Sequence, residues 1–225
     1  MNNDIWNSFT SDPTTGVTVL TADGEVIYIN EQSTRIFFDD GRAPSAVIGK
    51  SINEMGFPEQ WVKERLELMR RIRDTGEGVL LRTVWSGKQQ YSWMRPIEGE
   101  DGEDGDGRGH VLVITRRIAG SDETAVLLAG EHEVTKSGVI SLGELSVLTP
   151  RELEVLALLG QQMSIKEIAN TLFRSVKTIE NHRESIGRKL KRTRGIELAG
   201  IAQSAGLVVE DSKRTRVDGA NPEEN

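Results

Sequence analysis

The 225-residue chain contains no cysteine. That absence excludes disulfides, a thiol nucleophile, an iron–sulfur cluster and a cysteine–flavin adduct. No apolar run approaches the roughly 20 residues that a membrane helix requires. Met1-Asn2-Asn3-Asp4 lacks the basic start and apolar stretch of a secretory signal, so a cytoplasmic chain with no membrane partner is expected. The sequence also has no phosphate-binding glycine loop, metal-ligand cluster or nucleophile motif, so an enzyme is not expected and no cofactor is predicted.

What is present divides the chain. Its length suits two small domains, each with its own core. The net charge of -7 is unevenly spread: residues 1–145 hold 15 Lys/Arg against 24 Asp/Glu, and residues 146–210 hold 10 against 7. From Arg174 to Arg194 there are eight basic residues and two acidic ones. Such a run is either a solvated helix face or a surface that neutralises phosphates and releases their counterions.

In the first half, GVTVLTADGEVIYIN gives two β-rich runs around an Asp23-Gly24 turn, a hairpin signal. A short helix is expected over 31–38. After Pro58, the spacing of Trp61, Val62, Leu66, Met69 and Ile72 predicts a longer helix, ended by Gly76 and Gly78. Strand candidates follow at 79–85, 89–96 and 110–118. Trp61, Trp85 and Trp93 are candidates for core or for the lining of a ligand pocket. This order, with the opening hairpin and Val47-Ile48-Gly49-Lys50-Ser51-Ile52, resembles a PAS domain over residues 12–118. The resemblance implies a five-stranded antiparallel sheet with helices inserted between the second and third strands. It leaves the ligand open. The helix over 59–75 has no histidine for haem, which leaves only Met69 as an axial candidate.

Residues 1–11 read as an N-terminal extension. The segment 99–109 has carboxylates at 101, 103, 104 and 106 but lacks the glycine and final glutamate of an EF-hand loop, so no metal is expected. Residues 119–145, including Val126-Leu127-Leu128, read as a linker, and residues 211–225 as a disordered tail.

Thr149-Pro150-Arg151-Glu152 has the signature of a helix start, with a capping threonine, proline at the first position and glutamate three residues after the cap. Ser164 with Glu167 repeats it, and Ser175 caps a third helix over about 176–190. The connection between the second and third helices is tight, as in a helix-turn-helix, whose last helix enters the major groove. Val176, Ile179, Ile186 and Leu190 should face inward, while Lys177, Glu180, Asn181, Glu184 and Arg188 form the opposite row.

In register, LTPRELEVLALL, SIKEIANTLF and SVKTIENHRESIGRKL resemble the LuxR/FixJ/NarL effector domain over residues 146–207, an all-α four-helix domain taken here to span 146–210. The resemblance implies double-stranded DNA as partner, binding as a homodimer, and RNA polymerase or an upstream signalling protein as further partners. It implies that Glu152 holds the scaffold and that Thr178 and Lys189 contact phosphates. It places base reading on Glu180, Asn181 and Glu184, to which the outward row adds Lys177. Asn can pair with adenine, Glu can accept from cytosine and Lys can donate to guanine. Arg188, Lys191 and Arg192 supply further phosphate contacts. Three features depart from the family pattern: Arg174 replaces an aliphatic residue, Gln162 a common glycine, and Lys191-Arg192 a glycine–aliphatic pair.

The first half lacks the βα alternation of a receiver domain. The whole therefore reads as a DNA-binding transcription regulator whose PAS-like domain senses a ligand or partner. The alternatives are a protein built on sigma-factor region 4, disfavoured by the acidic first half, and a PAS domain that only dimerises.

Overall fold

The computed structural model describes residues 10–97, 109–119, 134–192 and 194–220. Most of the 99–109 segment with its carboxylates, most of the N-terminal extension and the Val126-Leu127-Leu128 patch lie outside these residues. Strands β1 (Thr15–Thr21) and β2 (Val26–Ile29) form the hairpin around Asp23-Gly24. Helix α1 (Glu31–Phe37) follows, capped by Asn30, and α2 (Glu59–Thr75) buries Trp61, Val62, Leu68, Met69 and Ile72 at helical spacing. Strands β3 (Val79–Trp85), β4 (Lys88–Ile97) and β5 (His110–Arg117) complete an antiparallel run in the order β2-β1-β5-β4-β3. Helices between the second and third strands are what the PAS resemblance implied.

The sheet is larger than expected. Strand β6 (Val134–Lys136) adds to the free edge of β3 in parallel, so the sheet is six-stranded and mixed rather than five-stranded and antiparallel. The edge of β3 offers unpaired backbone groups, and an extended segment returning alongside satisfies them. Residues 134–145 are therefore structure rather than linker. Beyond β6, β7 (Val139–Ser141) leads through a 3-10 turn (Gly143–Val147) into four helices: α3 (Pro150–Gly160), α4 (Ile165–Thr171), α5 (Val176–Lys189) and α6 (Gly195–Ala205).

Period-two alternation along β3 explains how the halves meet. Val79, Leu81 and Trp85 join the core under α1 and α2, whereas Val84 joins the core of the helical domain. All seven residues of β3 are buried, because both faces of the strand are covered. On the second face stands Arg82, fully buried. Its Nε donates to Gln89 Oε1 at 2.7 Å, Nη1 and Nη2 donate to the Asp211 carboxylate at 3.0 and 2.9 Å, and Nη2 also reaches the Gly206 carbonyl at 2.7 Å. Gly206 ends α6 at φ +56°, and a Cβ there would stand 2.6 Å from Gln89, so glycine is required by conformation and by close approach.

The tail departs from expectation as well. A 3-10 turn (Val209–Lys213) carries Asp211 into the interface, and β8 (Thr215–Val217) pairs in parallel with β7. Arg216 Nη1 also donates to the Leu148 carbonyl at 2.7 Å. Residues 211–217 are ordered because a buried arginine demands a buried anion.

Asp211 also pairs with Arg214 Nε at 2.9 Å, so removing Arg82 leaves the carboxylate one cation, whereas removing Asp211 leaves Arg82 buried with no anion. Asp211→Leu is expected to cost about 3–5 kcal/mol of unfolding free energy in urea titration. Arg82→Met added to it should recover part of that loss. A single-variant loss under about 1 kcal/mol would show that the interface does not carry stability.

Candidate nucleic-acid interface

Local sequence builds the helical domain. Thr149 Oγ1 accepts from Glu152 N while Glu152 Oε2 accepts from Thr149 N at 2.7 Å, and Ser164 and Glu167 form the same reciprocal cap on α4. Ser175 Oγ accepts from Thr178 N at 3.1 Å to start α5. Each cap satisfies donors that a helix start leaves open.

The helix ends share one geometry. Gln162, Phe173 and Lys191 have φ of +62°, +52° and +54°. The amide of the residue after each returns to a carbonyl five residues back: Met163 to Leu158, Arg174 to Ala169, Arg192 to Gly187. These are Schellman closures, in which the left-handed residue is ordinarily glycine. Gln162 and Lys191 thus stand where only conformation favours glycine, at about 1 kcal/mol each. Gly160 is the last helical residue of α3, and a Cβ on it would stand 2.8 Å from Ala202 Cβ on α6.

Ile168, Ile179 and Ile186 are fully buried and fix α5 on the domain core. Lys177, Asn181, Glu184 and Arg188 are exposed on the opposite face, and Glu180 and Thr178 are half-buried beside them. Lys177 and Glu180 approach at 3.5 Å, an exposed pair worth little. Lys191 and Arg192 are exposed just past the end of α5. Two expectations change. Val176 is 45 % exposed rather than inward-facing, since the buried stripe begins only at Ile179. Lys189, assigned to phosphate, gives its ammonium to Glu152 Oε2 at 2.6 Å, so its charge is committed within the domain.

Glu152 holds the arrangement together. It is 3 % exposed, and besides Lys189 and the cap it accepts from Ser185 Oγ at 2.7 Å. Burial pushes its carboxyl upward, but the bonds from Lys189, the Thr149 amide, Ser185 and the Thr149 hydroxyl outweigh that and lower it to about 2. One residue escaped sequence reasoning here: Phe173, 88 % exposed in the turn before α5. Arg82 also escaped it, though a lone cation in VLLRTVW was a visible sign.

Residues 146–202 match the model of the family described as bacterial regulatory proteins, luxR family. BvgA of Bordetella pertussis, named as a transcription regulator of virulence factors, is 43% identical over 63 residues, which are 28% of this chain and 30% of that protein. YgeK of Escherichia coli, an uncharacterized response regulatory protein, is 47% identical over 60 residues, 27% of this chain and 41% of its own. The matched stretch is thus 30% to 41% of the length of these curated relatives. A solved complex of Vibrio cholerae VqmA with ligand and DNA is 16% identical, covering 96% of this chain and 94% of that one, with a TM-score of 0.49. Residues 146–202 are a LuxR-type helix-turn-helix domain.

A carboxylate held below its unfolded value contributes stability above about 4.5 that is lost as pH falls toward about 2. Glu152→Gln should flatten that acid limb and destabilise the domain by about 1–3 kcal/mol at pH 7, through loss of bonds to a charged acceptor. Denaturation measured across pH checks both effects. An unchanged acid limb would remove Glu152 from this role.

Proposed function

We propose that the chain is a transcription regulator that binds double-stranded DNA as a homodimer through α5, under control of its PAS-like domain. The observation that carries this is the division of α5 into a fully buried apolar stripe and an exposed row bearing Lys177, Asn181, Glu184 and Arg188. A helix anchored on one side presents the other to a groove. The basic surplus from Arg174 to Arg194 supports phosphate attraction on an otherwise acidic chain. The relatives that share this segment carry the names of a transcription regulator and of a response regulatory protein.

Control by the first domain is supported by the connection between the halves. Glu64 on α2 accepts from Ser137 Oγ and Gly138 N, both at 2.6 Å, immediately before β7. Strand β7 pairs with β8, which follows the turn that carries Asp211 to Arg82. A shift of α2 against the sheet therefore reaches the seat of the DNA-reading head through contiguous polar contacts. A ligand or partner that favours one seating over another would change DNA affinity.

Base reading and phosphate holding are separable. Asn181→Ala should cost about 1–3 kcal/mol at one base position and relax the preference there. Arg188→Ala should weaken all sequences alike and reduce the salt slope of binding by about one unit. Binding-site selection and salt titration check the two, and footprints should show halves about 10 base pairs apart. An unchanged consensus for folded Asn181→Ala would refute the placement of α5 in the groove.

A further inference from the structure

At the leading end of α5 two large apolar side chains stand in solvent. Val176, the first residue of the helix, is 45 % exposed, and Phe173, in the turn before it, is 88 % exposed. Scattered exposed apolar residues are ordinary on a protein surface and need no explanation. These two are set apart by where they stand.

Packing among the described residues accounts for neither. Phe173 has φ of +52° in a closure that ordinarily takes glycine, so an aromatic ring is held on left-handed backbone while remaining exposed. A β-branched residue is among the weaker helix formers, and the buried stripe of α5 is supplied by Ile179 and Ile186 without Val176. One turn along from Val176, on the same side of the helix, stands Glu180. Val176 therefore borders the row that bears Lys177, Asn181 and Glu184.

The surroundings select the partner. Arg174 lies between the two apolar residues in the chain and Lys177 follows them, and both are exposed. Cations that frame a small apolar edge would lose their water against an apolar protein face, whereas a polyanion matches them. The N-terminal residues of a groove-reading helix are those that reach base edges. The major-groove edges of the base pairs present donors, acceptors and a single apolar group, the C5-methyl of thymine. An apolar side chain entering the groove has that group to bury itself against. Resting on the placement of α5 in the groove, we propose that Val176 reads the methyl group of a thymine in each half-site and that Phe173, at the same end, shields this contact from water. Thymine recognition then stands beside the hydrogen bonding of the polar row.

Thymine and deoxyuridine differ only by that methyl. Binding-site selection with the full chain gives the preferred half-site, and each thymine in it is then replaced by deoxyuridine, one position at a time in both halves, with affinity followed by DNA mobility shift. At one position the replacement should weaken the parent about fourfold for each half-site, the worth of burying one methyl group. In Val176→Ala that penalty should vanish while sensitivity to changes at other positions stands. In Phe173→Gly, which suits the left-handed backbone, it should shrink. A preferred half-site without thymine, a parent insensitive to deoxyuridine at every position, or an undiminished penalty in folded Val176→Ala would each overturn the assignment. An undiminished penalty in Phe173→Gly would remove Phe173 from the contact. If Asn181→Ala relaxes its own base position while no thymine depends on Val176, the methyl contact fails and the placement of α5 stands. If neither Asn181→Ala nor Val176→Ala changes what is read, both fail.

Discussion

The buried ion pair between Arg82 and Asp211 is the constraint on which the arrangement of the two halves rests. A guanidinium in the middle of a sheet strand is tolerable only if its donors are satisfied. Gln89, Gly206 and Asp211 do this from three different elements. Satisfying the arginine dictates where α6 must end, why the residue there is glycine, and why the chain turns back beyond it. The apolar contacts that join Val84 to the helical core follow from the same placement. A hydrophobic interface alone would tolerate sliding, whereas a four-bond arginine fixes register.

What was legible in the sequence was local. Helix starts were written in Thr149, Ser164 and Ser175 with their partners three residues on, because a cap involves only its own turn. The hairpin at Asp23-Gly24 and the phase of α2 were readable for the same reason. Helix ends were half legible: Gln162 and Lys191 stood out as departures from a family habit, and the left-handed closures they occupy supply the reason. Within the candidate interface, the inward isoleucines and the outward row were readable from phase, except where the first residue of the helix, Val176, precedes the buried stripe.

What was not legible depends on pairing across distance. Arg82 and Asp211 are 129 residues apart, and no periodicity links them. Strand β6 is three residues long and joins an edge in parallel, too short for any pattern to announce it. The fate of Lys189 also required the fold. Charge and position pointed it at phosphate, and only the approach of the α3 terminus gives Glu152 to it first. The apolar residues at both parities of VLLRTVW did hint at a strand covered twice, but not at what lay above it.

The boundary of the recognised family segment has a consequence for how such proteins recombine. That segment closes at residue 202, before Gly206 and Asp211. A crossover at its borders would transplant α3 to α5 with most of α6 and leave behind the turn that neutralises the sheet arginine. The recipient would inherit helices without the turn that seats them, while the donor sheet would keep both charges and lose the helical core packed against it. The structural unit is therefore the helical domain together with the dozen or so residues that follow it, and moving the helices to another chain means moving both.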